Sequence, residues 1–324
     1  MYNNVYKYTY LFGVIMTKVF IDGSAGTTGL RIFGRLNERR DIELITLPDE
    51  IRKDKNARAQ ALNDCDVAFL CLPDDAAREA VGLTTDSDTV IIDTSTAHRT
   101  ADGWVYGFPE LKGYREKIAT SKRIANPGCH AGGFISLVEP LVKLGILNNE
   151  AKLTAYSLTG YSGGGKKMIS QYEDENRDAL LGAPRMYGLT QQHKHLPEMK
   201  KVCGLENDPV FCPVVGSFYS GMEVTVPLFA SDINGTAEDI RRAYADYYTS
   251  NIVQFIPKAD ESGFASAGLL SGRDDMQIAV FGNDERILLV SRFDNLGKGA
   301  SGAAIQNMNI VLGIDEKTGL NIAK

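Results

Sequence analysis

Between Lys18 and about Asn126 the chain alternates short apolar runs with stretches whose apolar residues recur at helical spacing. Val19-Phe20-Ile21, Ile42 to Leu47, Asp66 to Leu72 and Thr89 to Asp93 read as strands. Helices are predicted from about Thr28 to Arg39, Asn56 to Asn63 and Asp74 to Val81. The runs DVAFLCL and TVIID are almost continuously apolar, as strands covered on both faces must be. Strand–helix alternation at this spacing predicts right-handed βαβ units and a parallel sheet.

Behind Asn126 the pattern changes. A helix from His130 to Leu144 precedes longer alternating strands at Lys152 to Leu158, Pro209 to Gly216, Met222 to Phe229, Met276 to Phe281 and Arg286 to Phe293. Gly282-Asn283-Asp284 favours a hairpin between the last two. With few helices between them, these strands predict a mostly antiparallel, half-covered sheet in a second domain. Gly160 to Leu205 shows little apolar periodicity and reads as a long polar loop, a kind that usually carries function. Lys298 to Leu312 is amphipathic and predicts a final helix. Residues Met1 to Ile15 have an apolar patch too short to span a bilayer and lack a cleavage site. They are expected to be a poorly packed appendage, with Met16 a candidate translation start.

Composition narrows the class. Apolar residues are 44% and charged residues 23% of 324, near the globular average, which argues against disorder and against a membrane protein. A net charge of -6 offers no basic stripe to nucleic acid, so small anions must be held by local groups. Five scattered cysteines without a CxxC pair argue against a disulfide framework and a structural zinc. Free thiols point instead to a reducing compartment, the cytoplasm. No metal site is expected.

Three motifs carry candidate chemistry. Gly23-Ser24-Ala25-Gly26-Thr27-Thr28-Gly29 leaves a strand and opens a helix, where glycines admit a pyrophosphate to backbone N–H donors. The dinucleotide is left open by charge: Asp49 and Glu50 suit the ribose 2′-OH of NAD, whereas Arg52 and Lys53 suit the 2′-phosphate of NADP. Asn126-Pro-Gly-Cys129 stands at a strand-to-helix junction, where the helix dipole favours a thiolate. Cys65, Cys71 and Cys212 lie in or beside apolar strands and read as inert, and Cys203 carries no signal. Gln192-His193-Lys194-His195 supplies two of four histidines, candidates for acid–base work or a solvated surface pair. Two loops are candidate anion sites: Asp93 to Arg99, through the Arg99 guanidinium, and Ser162 to Lys167, through backbone donors and Lys166.

Taken together, GSAGTTG, DTSTAHR, ANPGCH, YSGGGKK, HKHLPEM and DNLGKGASGAAIQNMN resemble the short type of N-acetyl-gamma-glutamyl-phosphate reductase. These motifs span Val19 to Asn309, and NPGC is the discriminating one. The resemblance implies an NADP-linked enzyme of arginine biosynthesis with an α/β Rossmann nucleotide-binding domain and an α+β catalytic and dimerisation domain of the glyceraldehyde-3-phosphate dehydrogenase kind. The expected partition is 1–15 appendage, 16–128 with 298–324 Rossmann domain, and 129–297 catalytic domain, assembled as homodimers or homotetramers. It implies Cys129 as nucleophile and His193 as acid–base group, with His195 second choice and a substrate contact. Arg99, Lys166 and Ser162 would hold substrate anions, and Asn295 would hold the nicotinamide carboxamide. Relatives carry Tyr after the nucleophile where His130 stands here, followed by Ala131 and Gly132. Other readings are the same chemistry on N-acetyl-aminoadipyl phosphate or aspartyl phosphate, a non-catalytic NADP-sensing regulator, and a cysteine hydrolase that would leave the glycine turn unexplained.

Overall fold

The computed structural model describes residues 9–11 and 14–323, with side chains from residue 16. Most of the expected appendage, 1–8 and 12–13, therefore lies outside the described residues. The chain forms two compact units. The first holds the described residues of Met1–Gly107, Glu116–Asn126 and Ala304–Gly319; the second holds those of Phe108–Arg115, Pro127–Ala303 and Leu320–Lys324. Against the expected partition, Phe108–Arg115, residues 127–128 and 298–303, and the described residues of Leu320–Lys324 group with the second unit.

In chain order the first elements are β1 (Thr9–Leu11), β2 (Val14–Asp22), α1 (Thr27–Leu36), β3 (Ile42–Ile45), α2 (Lys55–Asp64) and β4 (Val67–Leu70). Then come α3 (Asp74–Leu83), β5 (Val90–Asp93), β6 (Val105–Tyr106), α4 (Tyr114–Thr120) and β7 (Arg123–Ala125). The sheet runs β3-β2-β4-β5-β7-β6 with every pair parallel, and β1 joins the start of β2 antiparallel. All residues of β4 and β5 are buried, which is why their sequences are apolar without alternation. Strand order reverses at β2, between β3 on one side and β4 on the other. The mouth of that switch point, at the carboxyl end of β2, is where ligands bind in such sheets.

The second unit opens with α5 (Cys129–Lys143) and continues through β8 (Thr154–Gly160), α6 (Gly165–Glu173), β9 (Arg185–Met186), α7 (Leu196–Cys203), β10 (Val210–Gly216) and β11 (Met222–Phe229). It closes with α8 (Ala237–Tyr247), β12 (Val253–Phe255), β13 (Met276–Gly282) and β14 (Arg286–Phe293). The sheet order is β12-β13-β14-β11-β8-β10-β9. It is mixed rather than antiparallel throughout, since β8 pairs parallel with β10 and β12 with β13. The β13–β14 hairpin closes through Gly282, with the Asn283 N–H donating to the Arg286 carbonyl at 2.8 Å. The expected long polar loop is corrected: α6, β9 and α7 lie within it, each too short to impose a visible period.

Helix α5 is buried from His130 to Leu141 and lies on the inner face of the sheet. Gly133 makes the close seat possible, because a Cβ there would stand 2.5 Å from Val224 Cγ2 and 2.9 Å from Phe293 Cε1. The predicted final helix is likewise divided, into a π-helical turn at Gly297–Ser301 and α9 (Gly302–Val311).

Candidate active site

In the first unit the glycine turn is a cradle. Gly23 adopts φ +87°, and a Cβ on it would fall 2.3 Å from the Cys71 carbonyl oxygen, so only glycine fits. Gly26 is the N-cap of α1, Thr27 and Thr28 open the helix, and a Cβ on Gly29 would strike the Gly23 carbonyl oxygen at 2.5 Å. Turn and helix therefore touch backbone to backbone. That leaves the first N–H groups of α1 pointing out of the turn, where a phosphate is stabilised.

Beside the turn lies a cavity of about 320 Å³ lined by Gly23, Ser24, Ala25, Thr46, Leu47, Arg52, Lys53 and Arg58, among others. Asp49 and Glu50 do not line it, and Asp49 pairs with Arg52 at 3.3 Å in solvent. The cavity's charged mouth is thus cationic. Arg58 is committed elsewhere: its Nε and Nη2 reach Asp22 Oδ2 at 3.0 and 2.9 Å, and its Nη1 reaches Glu79 at 3.0 Å. Burial pushes the Asp22 carboxyl above its usual range, against the opposing pull of Arg58.

The Asp93 to Arg99 motif is largely a self-bonded turn. Asp93 accepts from Ser95 N–H at 2.9 Å and Ser95 Oγ at 2.7 Å, and its Oδ2 lies 2.7 Å from His98 Nδ1. His98 stacks on Trp104 with ring centroids 4.1 Å apart. Arg99 donates through Nε to the Asn126 carbonyl at 2.9 Å and through Nη2 to the Thr94 carbonyl at 3.1 Å. Much of its fork is thereby spent on holding the backbone.

In the second unit Cys129 is the first residue of α5, after Gly128 as N-cap. The Gly128 N–H donates to Glu198 Oε2 at 3.2 Å, so a carboxylate from α7 anchors the loop that presents the thiol. Next to Cys129, His130 is 3% exposed and lies ring to ring 5.8 Å from His193, 5.6 Å from His195 and 5.3 Å from Phe211. His193 and His195 are 4.7 Å apart, and His193 Nδ1 accepts from the His195 N–H at 3.2 Å. Burial, and then the charge of His193, presses the His130 pKa down to about 3. The structure therefore gathers His130, His193 and His195, with Cys129 the residue before His130 at the start of α5.

Ser162, on a short 3-10 turn after β8, is buried and accepts from Asn295 Nδ2 at 3.0 Å. Asn295 Oδ1 accepts the Gly221 N–H at 2.9 Å. Lys166 sits exposed in the first turn of α6. Two residues that sequence reasoning passes over also belong here: Ser157 and Tyr187, both hydrogen-bonded to His130. Tyr187 gives no signal in the sequence, because its place follows from the β9–β10 pairing alone. Burial pushes the Cys65 and Cys71 thiols up to about 12 and Cys203 well above the usual value. Among the described residues no group of three or more His, Cys, Asp or Glu could hold a metal ion. No helix among them is long and apolar enough to cross a membrane.

A parallel sheet with a glycine turn at its switch point, and a histidine cluster beside the N-terminus of α5 on a separate mixed sheet, are the two parts of a nicotinamide-linked dehydrogenase. Two family models agree: semialdehyde dehydrogenase, NAD binding domain, matches residues 18–121, and semialdehyde dehydrogenase, dimerisation domain, matches 129–295. The chain belongs to the semialdehyde dehydrogenase family, and within it to the N-acetyl-gamma-glutamyl-phosphate reductases. It is 49% identical to N-acetyl-gamma-glutamyl-phosphate reductase 2 of Nostoc sp., over 94% of this chain and 99% of that protein. It is 47% identical to the reductase of Sinorhizobium medicae, over 91% and 98% of the two chains. Among solved structures, aspartate semialdehyde dehydrogenase II of Vibrio cholerae complexed with ASA shares the fold with a TM-score of 0.69 at 15% identity, covering 92% of this chain and 98% of that one.

Proposed function

We propose that this protein is an NADP-dependent reductase that converts N-acetyl-gamma-glutamyl phosphate to N-acetylglutamate 5-semialdehyde and phosphate, in arginine biosynthesis. One juxtaposition carries the reading: Cys129 opens α5 while the next residue packs against both His193 and His195. The Cys129 thiolate attacks the acyl carbon, the bond to phosphate oxygen breaks, and a thioester remains on the enzyme. NADPH, held at the glycine turn and by Asn295, would supply the hydride that reduces this thioester. His193 donates a proton to the resulting oxyanion and takes it back as the thiohemiacetal collapses, which frees the aldehyde and the thiolate. His195, Ser162 and Lys166 would contact substrate. Arg99 would serve a substrate anion, and Asn295 would hold the nicotinamide carboxamide.

The preference for NADP over NAD is supported by the cavity beside the glycine turn, which Arg52 and Lys53 line and Asp49 and Glu50 do not. Gly23, Ser24, Ala25, Gly26, Thr27 and Thr28 would hold the pyrophosphate. The matched dimerisation domain supports oligomers, here a homodimer or homotetramer, and five free thiols suit work in the cytoplasm.

The decisive assay is phosphate-dependent reduction of NADP by N-acetylglutamate 5-semialdehyde, with wild type and Cys129→Ser and with NAD in parallel. Turnover with NADP that is weaker with NAD and lost in the serine enzyme is expected. A wild type that binds NADP yet leaves this aldehyde untouched overturns the substrate, and turns attention to the acyl phosphate one methylene longer, which a pocket distinguishes by only about 1–3 kcal/mol.

A further inference from the structure

Beside Cys129 runs a chain of hydrogen bonds with a direction. His130 Nδ1 lies 2.7 Å from Ser157 Oγ, and His130 Nε2 lies 2.6 Å from Tyr187 Oη. The ring is buried and its pKa is pressed to about 3, so it is neutral and has one donor nitrogen and one acceptor. The two hydroxyls must therefore play opposite parts.

Ser157 decides which. It is wholly buried, and among the described residues its hydroxyl meets only His130. If Ser157 accepted from Nδ1, its own proton would be buried with no acceptor, the costlier way to leave a polar group. Ser157 therefore donates to Nδ1. The ring proton then sits on Nε2 and is donated to Tyr187 Oη. That turns the phenolic proton of Tyr187 away from His130, and no acceptor for it stands among the described residues.

The register shows where Tyr187 stands. Arg185 pairs with Val215 and Met186 with Val214, and the Tyr187 N–H continues the ladder to the Pro213 carbonyl at 3.0 Å. Pro213 pairs with Ser157, so Tyr187 shares the sheet face on which Ser157 meets His130. Tyr187 is half-buried rather than enclosed, and it stands close enough to Cys129 to feel its charge. Burial and the nearby Cys129 both push its phenol upward, which keeps it protonated.

We propose that Tyr187 is a catalytic hydrogen-bond donor to the oxygen of the acyl group carried on Cys129, with Ser157 and His130 as positioning residues that fix the direction of its proton. The proposal rests on the thioester reading of Cys129. That oxygen gains negative charge as the carbonyl carbon turns tetrahedral, so the bond is strongest in the transition state and acts on kcat rather than KM. Tyr187 keeps its proton throughout; His193 performs the transfer.

The test compares wild type, Tyr187→Phe, Ser157→Ala and the double variant in the phosphate-dependent semialdehyde assay. Tyr187→Phe should lower kcat about 10²-fold or more with KM changed by less than about threefold. Ser157→Ala should lower kcat by about three- to tenfold alone and have no further effect in the Tyr187→Phe background, as expected for groups that act as one unit. A loss confined to KM, or a serine effect of equal size in both backgrounds, overturns the proposal. Hydrolysis of p-nitrophenyl acetate through Cys129 gives a second reading of the same oxygen. If wild type ignores the semialdehyde but hydrolyses the ester, the substrate assignment has failed while Tyr187 is still judged by its effect on ester turnover.

Discussion

At the scale of single residues, the residue after Cys129 is a histidine that does not titrate where histidines usually do. His130 is held neutral by burial first and by His193 second, with its pKa near 3 in the fold against 6.5 outside it. In the window between those values the unfolded chain binds a proton that the folded chain refuses, so folding stability rises with pH there. The contribution is therefore complete above about pH 6.5 and is lost as pH falls from 6.5 toward 3, by at most about 1.4 kcal/mol per pH unit. Urea unfolding at pH 5, 6 and 7.5 should show wild type weakening toward acid. His130→Gln should be less stable at pH 7.5 yet lose roughly one proton's worth of that slope. A glutamine variant with the wild-type slope would mean that other groups set the acid sensitivity.

Elements differ in how far they announce themselves. The first sheet was legible because its strands are buried on both faces and need apolar runs, and because βαβ spacing leaves one handedness. Helix α8 was also written in the chain and passed over: Thr236 accepts from Asp239 N–H at 3.2 Å, Asp239 returns the bond, and Ile240 and Tyr244 follow on one buried face. Strand β9 could not have been read, since its two residues become a strand only by pairing with Val214 and Val215. Cys129, His193 and His195 were legible as residue types in motifs, whereas Ser157 and Tyr187 depend on register and were not.

The same scale holds the seat of α5, where Gly133 leaves no room for a methyl group between the helix and Val224 or Phe293. Gly133→Ala should cost about 1–3 kcal/mol in urea unfolding through overpacking. Since the helix carries Cys129 at its first turn, kcat should fall as well, because a displacement of about 1 Å can cost on the order of 10²-fold. An alanine variant that keeps both stability and kcat would show that the helix can move away without consequence.

For the whole molecule, the outer face of the second sheet is the surface that a lone chain explains least. Register places Val210, Tyr156, Pro227, Phe229 and Leu288 on the side opposite α5. Phe229 is 62% exposed and Leu288 is 41% exposed, beside a depression of about 650 Å³ that both help to line. Contiguous apolar surface of this kind marks an interface, and with a matched dimerisation domain the expected partner is a second copy. In a twofold assembly each surface residue is used twice, so one introduced charge is buried in both protomers and faces its own copy when close to the axis. Leu288→Glu should therefore shift sedimentation toward the monomer, with the folded chain retained by circular dichroism and the protein concentration needed for full activity raised. A variant that sediments as wild type does at every concentration would remove this face from the interface and leave the exposed apolar row without a partner.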